Sequence, residues 1–169
     1  MKKLLLTGLA LLLLSLSGCG YHLVGHGSGA GAIPADVKTV TIAVNGDSQK
    51  VLSLLRQRLT SEAYALTDAA DAIDEGTHAI LRVNIAPLMF VPSAYDISGM
   101  ATQYRMTYSG SLSVQRSGQN IWQSGNISQQ GDVYESGGPA STEASKERLL
   151  RDLRQQWVTD ALGRLRSGF

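Results

Sequence analysis

Three residues near the start of the chain are of types that do chemistry: Cys19, a possible thiol nucleophile or metal ligand, and His22 and His26, four residues apart. Two histidines at that spacing could share one face of a helix and hold a metal ion, but a site needs at least a third ligand. The surrounding stretch 20–36, GYHLVGHGSGAGAIPAD, supplies none and is too glycine-rich to make a helix, so no metal site is expected there. Further along, His78 stands at a strand start. Glu62, Asp68, Asp71, Asp74 and Glu75 form a run without Lys or Arg that reads as a solvated connection. The chain has no Gly-x-Ser-x-Gly elbow, no phosphate loop, no His-Glu-x-x-His pair and no second cysteine. An enzyme is therefore not expected, and neither is a cofactor.

The neighbours of Cys19 give it a different role. Lys2 and Lys3 form a short positive segment and Leu4 to Leu14 an apolar run, shorter than the roughly 20 residues that span a bilayer. Leu16-Ser17-Gly18-Cys19 follows and looks like a lipobox, the processing site of bacterial lipoproteins. Residues 1–18 are then a signal peptide that is removed, and Cys19 becomes a lipid-bearing N-terminus, with thioether-linked lipid and further acyl chains of the palmitate kind. Several chains on one residue give durable anchoring where one binds marginally. Acylation leaves no thiol for a disulfide. Gly20, not Asp, follows the cysteine; by resemblance to lipoprotein sorting rules this argues for the outer membrane. Residues 19–36 are read as the lipidated cysteine and a flexible tether, holding a domain on the periplasmic side.

What remains, residues 37–169, suffices for one domain with a real core. The 15 Lys and Arg fall to 13 once Lys2 and Lys3 are removed, against 14 Asp and Glu, which gives no reason to expect nucleic-acid binding. In 37–44, Val40, Ile42 and Val44 alternate with threonines, the pattern of a half-buried strand. Asn45-Gly46 ends it, and Asp47 or Ser48 is placed to cap a helix carrying Val51, Leu52, Leu55, Leu59, Ala63 and Leu66 at three- and four-residue spacing. THAILRVNIA reads as a second strand, 102–115 as a long third, and NIWQSGNISQQGDVY as a fourth that returns through a Ser117-Gly118 turn. Beyond Gly137-Gly138-Pro139, Thr142 is placed to cap a long helix with Leu149, Leu150, Leu153, Trp157, Ala161, Leu162 and Leu165 as its apolar stripe. The expected fold is α+β: two helices packed on one face of a four-stranded mixed sheet, in the order β-α-β-β-β-α.

Two features then ask for a partner. If both helices cover the apolar face, Arg82, Gln103, Arg105, Thr107, Ser109, Ser111, Ser113 and Gln115 stand on the open one. Such a surface is either plainly solvated or suited to sugar and phosphate, which arginine meets bidentately. The connection 87–100, PLMFVPSAYDISGM, places Leu88, Met89, Phe90 and Val91 between two prolines. So long an apolar loop either tucks under a helix or faces a partner.

The opening LSGCGYHL, the segment ATQYRMTYSGSLSV, the element order and the charged terminal helix together resemble the LptE family of LPS-assembly lipoproteins. The resemblance implies a protein without catalysis of its own. It would plug and assist the assembly of a large outer-membrane β-barrel, LptD, and bind lipopolysaccharide on its way outward. It also directs attention to basic residues near the loop before the third strand, where this chain departs from the pattern and reads Asp96-Ile97-Ser98-Gly99. Lipopolysaccharide contact is accordingly expected from Arg82 and Arg105 on the sheet and Lys146 at the start of the terminal helix. The contrasting expectation is a free periplasm-facing carrier or adaptor without a barrel, which would purify alone.

Overall fold

The computed structural model describes residues 31–60, 65–68, 76–135 and 138–169. The signal segment, Cys19, His22, His26, Glu62, Asp71, Asp74 and Glu75 lie outside the described residues. The elements run β1 (Thr39–Asn45), α1 (Ser48–Leu59), β2 (Ala65–Thr67), β3 (His78–Ile85), β4 (Met89–Tyr95), β5 (Ala101–Arg116), β6 (Gln119–Gln123), β7 (Ile127–Tyr134) and α2 (Pro139–Ser167). The α+β class is as expected; the sheet formed by the described residues has seven strands, not four.

β5 is the spine of that sheet. On one side its C-terminal half pairs with β3 (Val83 opposite Leu112) and its N-terminal half with β4 (Phe90 opposite Met106). On the other side the same halves pair with β6 and β7. β1 lies parallel to β3 and carries β2 on its far edge, also parallel. Alternation along β5 places Met106, Tyr108, Leu112 and Val114 in the core. There they join Val40, Leu81 and Val83 of the sheet, Val51, Leu55 and Leu59 of α1, and Leu153, Trp157 and Leu162 of α2.

Three differences account for the added strands. The first helix stops at Leu59 with Thr60 as its C-cap, and Leu66 belongs to β2, half-buried beside β1. The apolar segment 88–91 is not a free loop: Met89–Tyr95 is an edge strand, where Pro92 is tolerated because one side of the strand has no ladder to satisfy. The returning strand is cut at Ser124-Gly125-Asn126 into β6 and β7, with Gly125 at φ +67°.

Two local details bear on the packing. The Ser124 hydroxyl accepts from the Leu112 amide at 2.9 Å, which holds the β6–β7 break against β5. α2 begins at Pro139 with Gly138 as N-cap, one turn earlier than a Thr142 cap would give. Gly110 of β5 lets α2 come close: a Cβ there would stand 2.5 Å from the Asn84 carbonyl oxygen and 3.0 Å from the Trp157 ring.

Candidate functional site

The sheet face away from the helices is read directly from the register. Arg82 pairs with Ser113, Asn84 with Ser111, Thr107 with Gln130, and Ser109 with Ser128. Paired residues share a face, so these hydroxyls and amides form one polar surface across β3, β5 and β7. Neither helix covers it.

Arg82 and Arg105 both stand on this face and both are engaged. The Arg82 Nε donates to the Gln115 Oε1 at 2.5 Å. Arg105 lies opposite Asp132 and forms a two-pronged ion pair, its Nε 3.1 Å from Oδ1 and its Nη2 3.4 Å from Oδ2. The hydrogen bond it donates to Asp132, then the Asp132 charge, hold the guanidinium above its usual pKa. Ser113, opposite Arg82, is eight residues from Arg105 along β5, which at about 3.4 Å per residue separates the two arginines by roughly 27 Å. One phosphate cannot bridge them.

Lys146 is not on this face. Its Nζ lies 4.5 Å from the centre of the Phe90 ring, which in turn stacks on Tyr104 with ring centres 4.8 Å apart and planes 9° from parallel. It also pairs with Glu143 at 2.7 Å, one helical turn away. The expected trio is thus dispersed: two arginines far apart on the open face, and a lysine on the helix side that fastens α2 to the β4–β5 hairpin.

Leu88, Met89 and Val91 are exposed, while Phe90 is half-buried. Met89 pairs with Thr107 and Val91 with Arg105, so these two apolar side chains edge the polar face. Beyond them the hairpin ends in a turn built on Asp96. Its carboxylate accepts from the Ser98 hydroxyl at 2.6 Å, the Ser98 amide at 2.8 Å and the Met100 amide at 3.0 Å. These bonds, that of the hydroxyl first, hold Asp96 below the usual carboxylate pKa. Around the turn Tyr95, Ile97, Met100 and Tyr134 are exposed, and Ile97 is fully so. The connection 87–100 contains this tip, but the residues named as partner-facing, Leu88 to Val91, lie at its base; the signal for the tip is the turn-forming Asp96-x-Ser98-Gly99 with its flanking apolar residues.

His78 and Asp47 are tied into the fold. His78 is buried, its Nδ1 2.9 Å from the Thr39 hydroxyl. Asp47 makes no helix-cap bond from its side chain and instead takes the Tyr108 hydroxyl at 3.1 Å and the Arg154 guanidinium. Burial first, then the Asp47 charge, push the Tyr108 phenol well up from its ordinary value. The described residues hold no cluster of three potential metal ligands, and no described helix is long and apolar enough to cross a membrane.

Residues 37–165 match the family described as LptE, lipopolysaccharide-assembly. No curated protein matches the sequence. Among solved structures, rare lipoprotein B from Shewanella oneidensis superposes with a TM-score of 0.60 at 17% identity, covering 75% of this chain and 92% of that one. An uncharacterized lipoprotein B from Nitrosomonas europaea gives 0.63 at 15% identity, over 88% and 91%. A minor lipoprotein from Acinetobacter baumannii gives 0.56 at 14%, over 76% and 90%. At these identities the structures establish a shared fold.

Proposed function

We propose that this chain, which over residues 37–165 belongs to the LptE lipopolysaccharide-assembly family, works in lipopolysaccharide assembly at the outer membrane. It is a lipoprotein anchored through lipid on Cys19 to the periplasmic side of the outer membrane. There it plugs the LptD β-barrel, assists that barrel's assembly and takes part in lipopolysaccharide transport. It carries no catalysis and no cofactor beyond the covalent lipid.

The observation that carries this reading is the uncovered polar sheet face. A soluble domain lodged in a barrel must present to the lumen what a barrel lumen presents to water, a polar surface. Ser109, Ser111, Ser113, Thr107, Asn84 and Gln130 supply it over the length of β5. Lipopolysaccharide phosphates meeting this face would find Arg82 and Arg105, each of which would exchange its present partner, Gln115 or Asp132, for the anion. Lys146 is the weakest of the three candidates, because it would have to leave both Phe90 and Glu143.

The test is purification of tagged full-length chain from detergent-solubilised outer membrane, with co-eluting proteins identified by mass. A stoichiometric large β-barrel is expected. Elution alone, under detergents that keep other envelope complexes intact, would sink the plug reading in favour of a free adaptor. With residues 1–18 replaced by a secretory signal that is cleaved without the cysteine, Cys19→Ala should move the chain from the membrane to the soluble fraction in cells lacking the barrel; its retention on membranes there would refute the anchor.

A further inference from the structure

The tip of the β4–β5 hairpin gathers exposed apolar side chains on a preformed turn. Tyr95, Ile97 and Met100 flank the turn, and Tyr134 stands beside it on the end of β7, across Gln103. Single exposed apolar residues are ordinary, but four gathered at one projecting end, with one fully exposed, are not. The turn that presents them is held rigid by the three bonds to the Asp96 carboxylate, by the Gly99 amide on the Asp96 carbonyl at 3.0 Å and by Gly99 at φ +82°. An apolar side chain fixed in place before binding loses little entropy on docking, which is how interface anchors reach high energy per residue.

Charge decides between a lipid surface and a protein. Residues 93–104 contain no Lys or Arg. The charges at this end are Asp96, kept ionised by its hydrogen bonds, and the exposed Glu135, whose amide donates to the Thr102 carbonyl at 2.9 Å. Of the cations on the neighbouring elements, Arg105 of β5 and Lys146 of α2 are each paired with a carboxylate. Such an end is repelled by anionic headgroups and by phosphates. Position agrees. The described chain begins at Gly31, against the last turn of α2, whereas the tip lies beyond that helix's first turn. A 29-residue helix is about 43 Å long, so the tip is carried far from the end where the tether leaves.

We infer that this tip, with Ile97 at its point, is an anchor that inserts into an apolar pocket on a protein partner, one whose rim offers cationic or N–H donor groups to Asp96 and Glu135. The tip is not a phosphate-binding loop. The inference rests on the plug reading above, and its partner is the barrel proposed there.

The experiment is co-expression of the full-length chain with that barrel and measurement of barrel retained per chain after detergent purification, for wild type, Ile97→Leu and Ile97→Asp. Ile97→Asp should cut the retained barrel by at least about tenfold and Ile97→Leu should keep most of it. The full-length chain in detergent should show the same thermal midpoint in all three, since Ile97 is fully exposed. Equal retention by wild type and Ile97→Asp overturns the anchor while leaving the plug reading intact. Loss of the barrel from wild type as well overturns both. Binding of the wild-type domain to phosphatidylglycerol vesicles that Ile97→Asp abolishes would also overturn it, by making the tip a membrane probe.

Discussion

Tyr108 shows how much a single side chain joins in this molecule. Its ring meets Trp157 edge-on, with centres 6.2 Å apart and planes at 79°, and its hydroxyl reaches Asp47, which also takes Arg154. Spine strand, first helix start and terminal helix therefore meet at one phenol. Because burial and the Asp47 charge raise its pKa above the unfolded value of about 10, the stabilisation is complete below that pH. It is lost as pH climbs from there towards the folded value, since the folded state resists ionisation that the unfolded chain accepts. Denaturant melts at increasing alkalinity should show wild type losing stability above about pH 10 more steeply than Tyr108→Phe. Parallel slopes would show that the phenol is not the titrating group. The variant itself should cost about 1 kcal/mol at neutral pH through the lost hydrogen bond. None of this was legible beforehand. Tyr108 was readable as core-facing from its alternation with Thr107 and Ser109, but Asp47 read as a helix cap, because only the tertiary fold reveals that an arginine 107 residues later competes for its carboxylate.

At the scale of elements, the long third strand and the terminal helix were the most legible, because each sustains one period over many residues. β4 was hidden by the same rule. Met89 and Val91 point to the open face and Phe90 to the core side, but all three are apolar, so the period of two that the backbone follows leaves no trace in the side-chain types. β2 was hidden by coincidence: Leu66 falls at a helical interval from Leu59, yet its partner is Val40 across a parallel ladder. The open polar face is legible from the alternation along β5, and Lys146 stands on the terminal helix as its position in the sequence implies; what the sequence does not show is that Arg82 and Arg105 are held by Gln115 and Asp132. β4 also leaves an unpaired edge, and Pro92, with the register irregularities beside it, spoils that edge for pairing with another chain. Pro92→Val should therefore restore an apolar, hydrogen-bonding edge and raise self-association of the isolated domain. Sedimentation velocity at rising concentration would report it; a variant as monomeric as wild type would show that the irregularities alone suffice.

For the whole molecule, the described chain has two unlike ends. At one, the Ala32 amide donates to the Leu165 carbonyl at 2.8 Å, the Trp122 indole to the Gly168 carbonyl at 3.1 Å, and Arg116 pairs with Asp36. At the other, the hairpin tip carries exposed apolar residues on a preformed turn. Ala32 is part of the core, so the stretch that the sequence reads as tether is already domain two residues before Pro34. Ala32→Asp should bury a carboxylate against the helix end and lower stability by about 1–3 kcal/mol in urea unfolding. An unchanged midpoint would return these residues to the tether. The Ala32–Leu165 contact also orders events in time. A chain delivered N-terminus first brings Ala32 early and Leu165 among its last residues, while β3 to β7 form pairs with near neighbours in sequence. The meander can assemble while the chain is still arriving, but its apolar face stays open until the final helix lands and closes over it. The interval between those two events is when this protein is most exposed to aggregation, and it ends only with the arrival of the last helical turn.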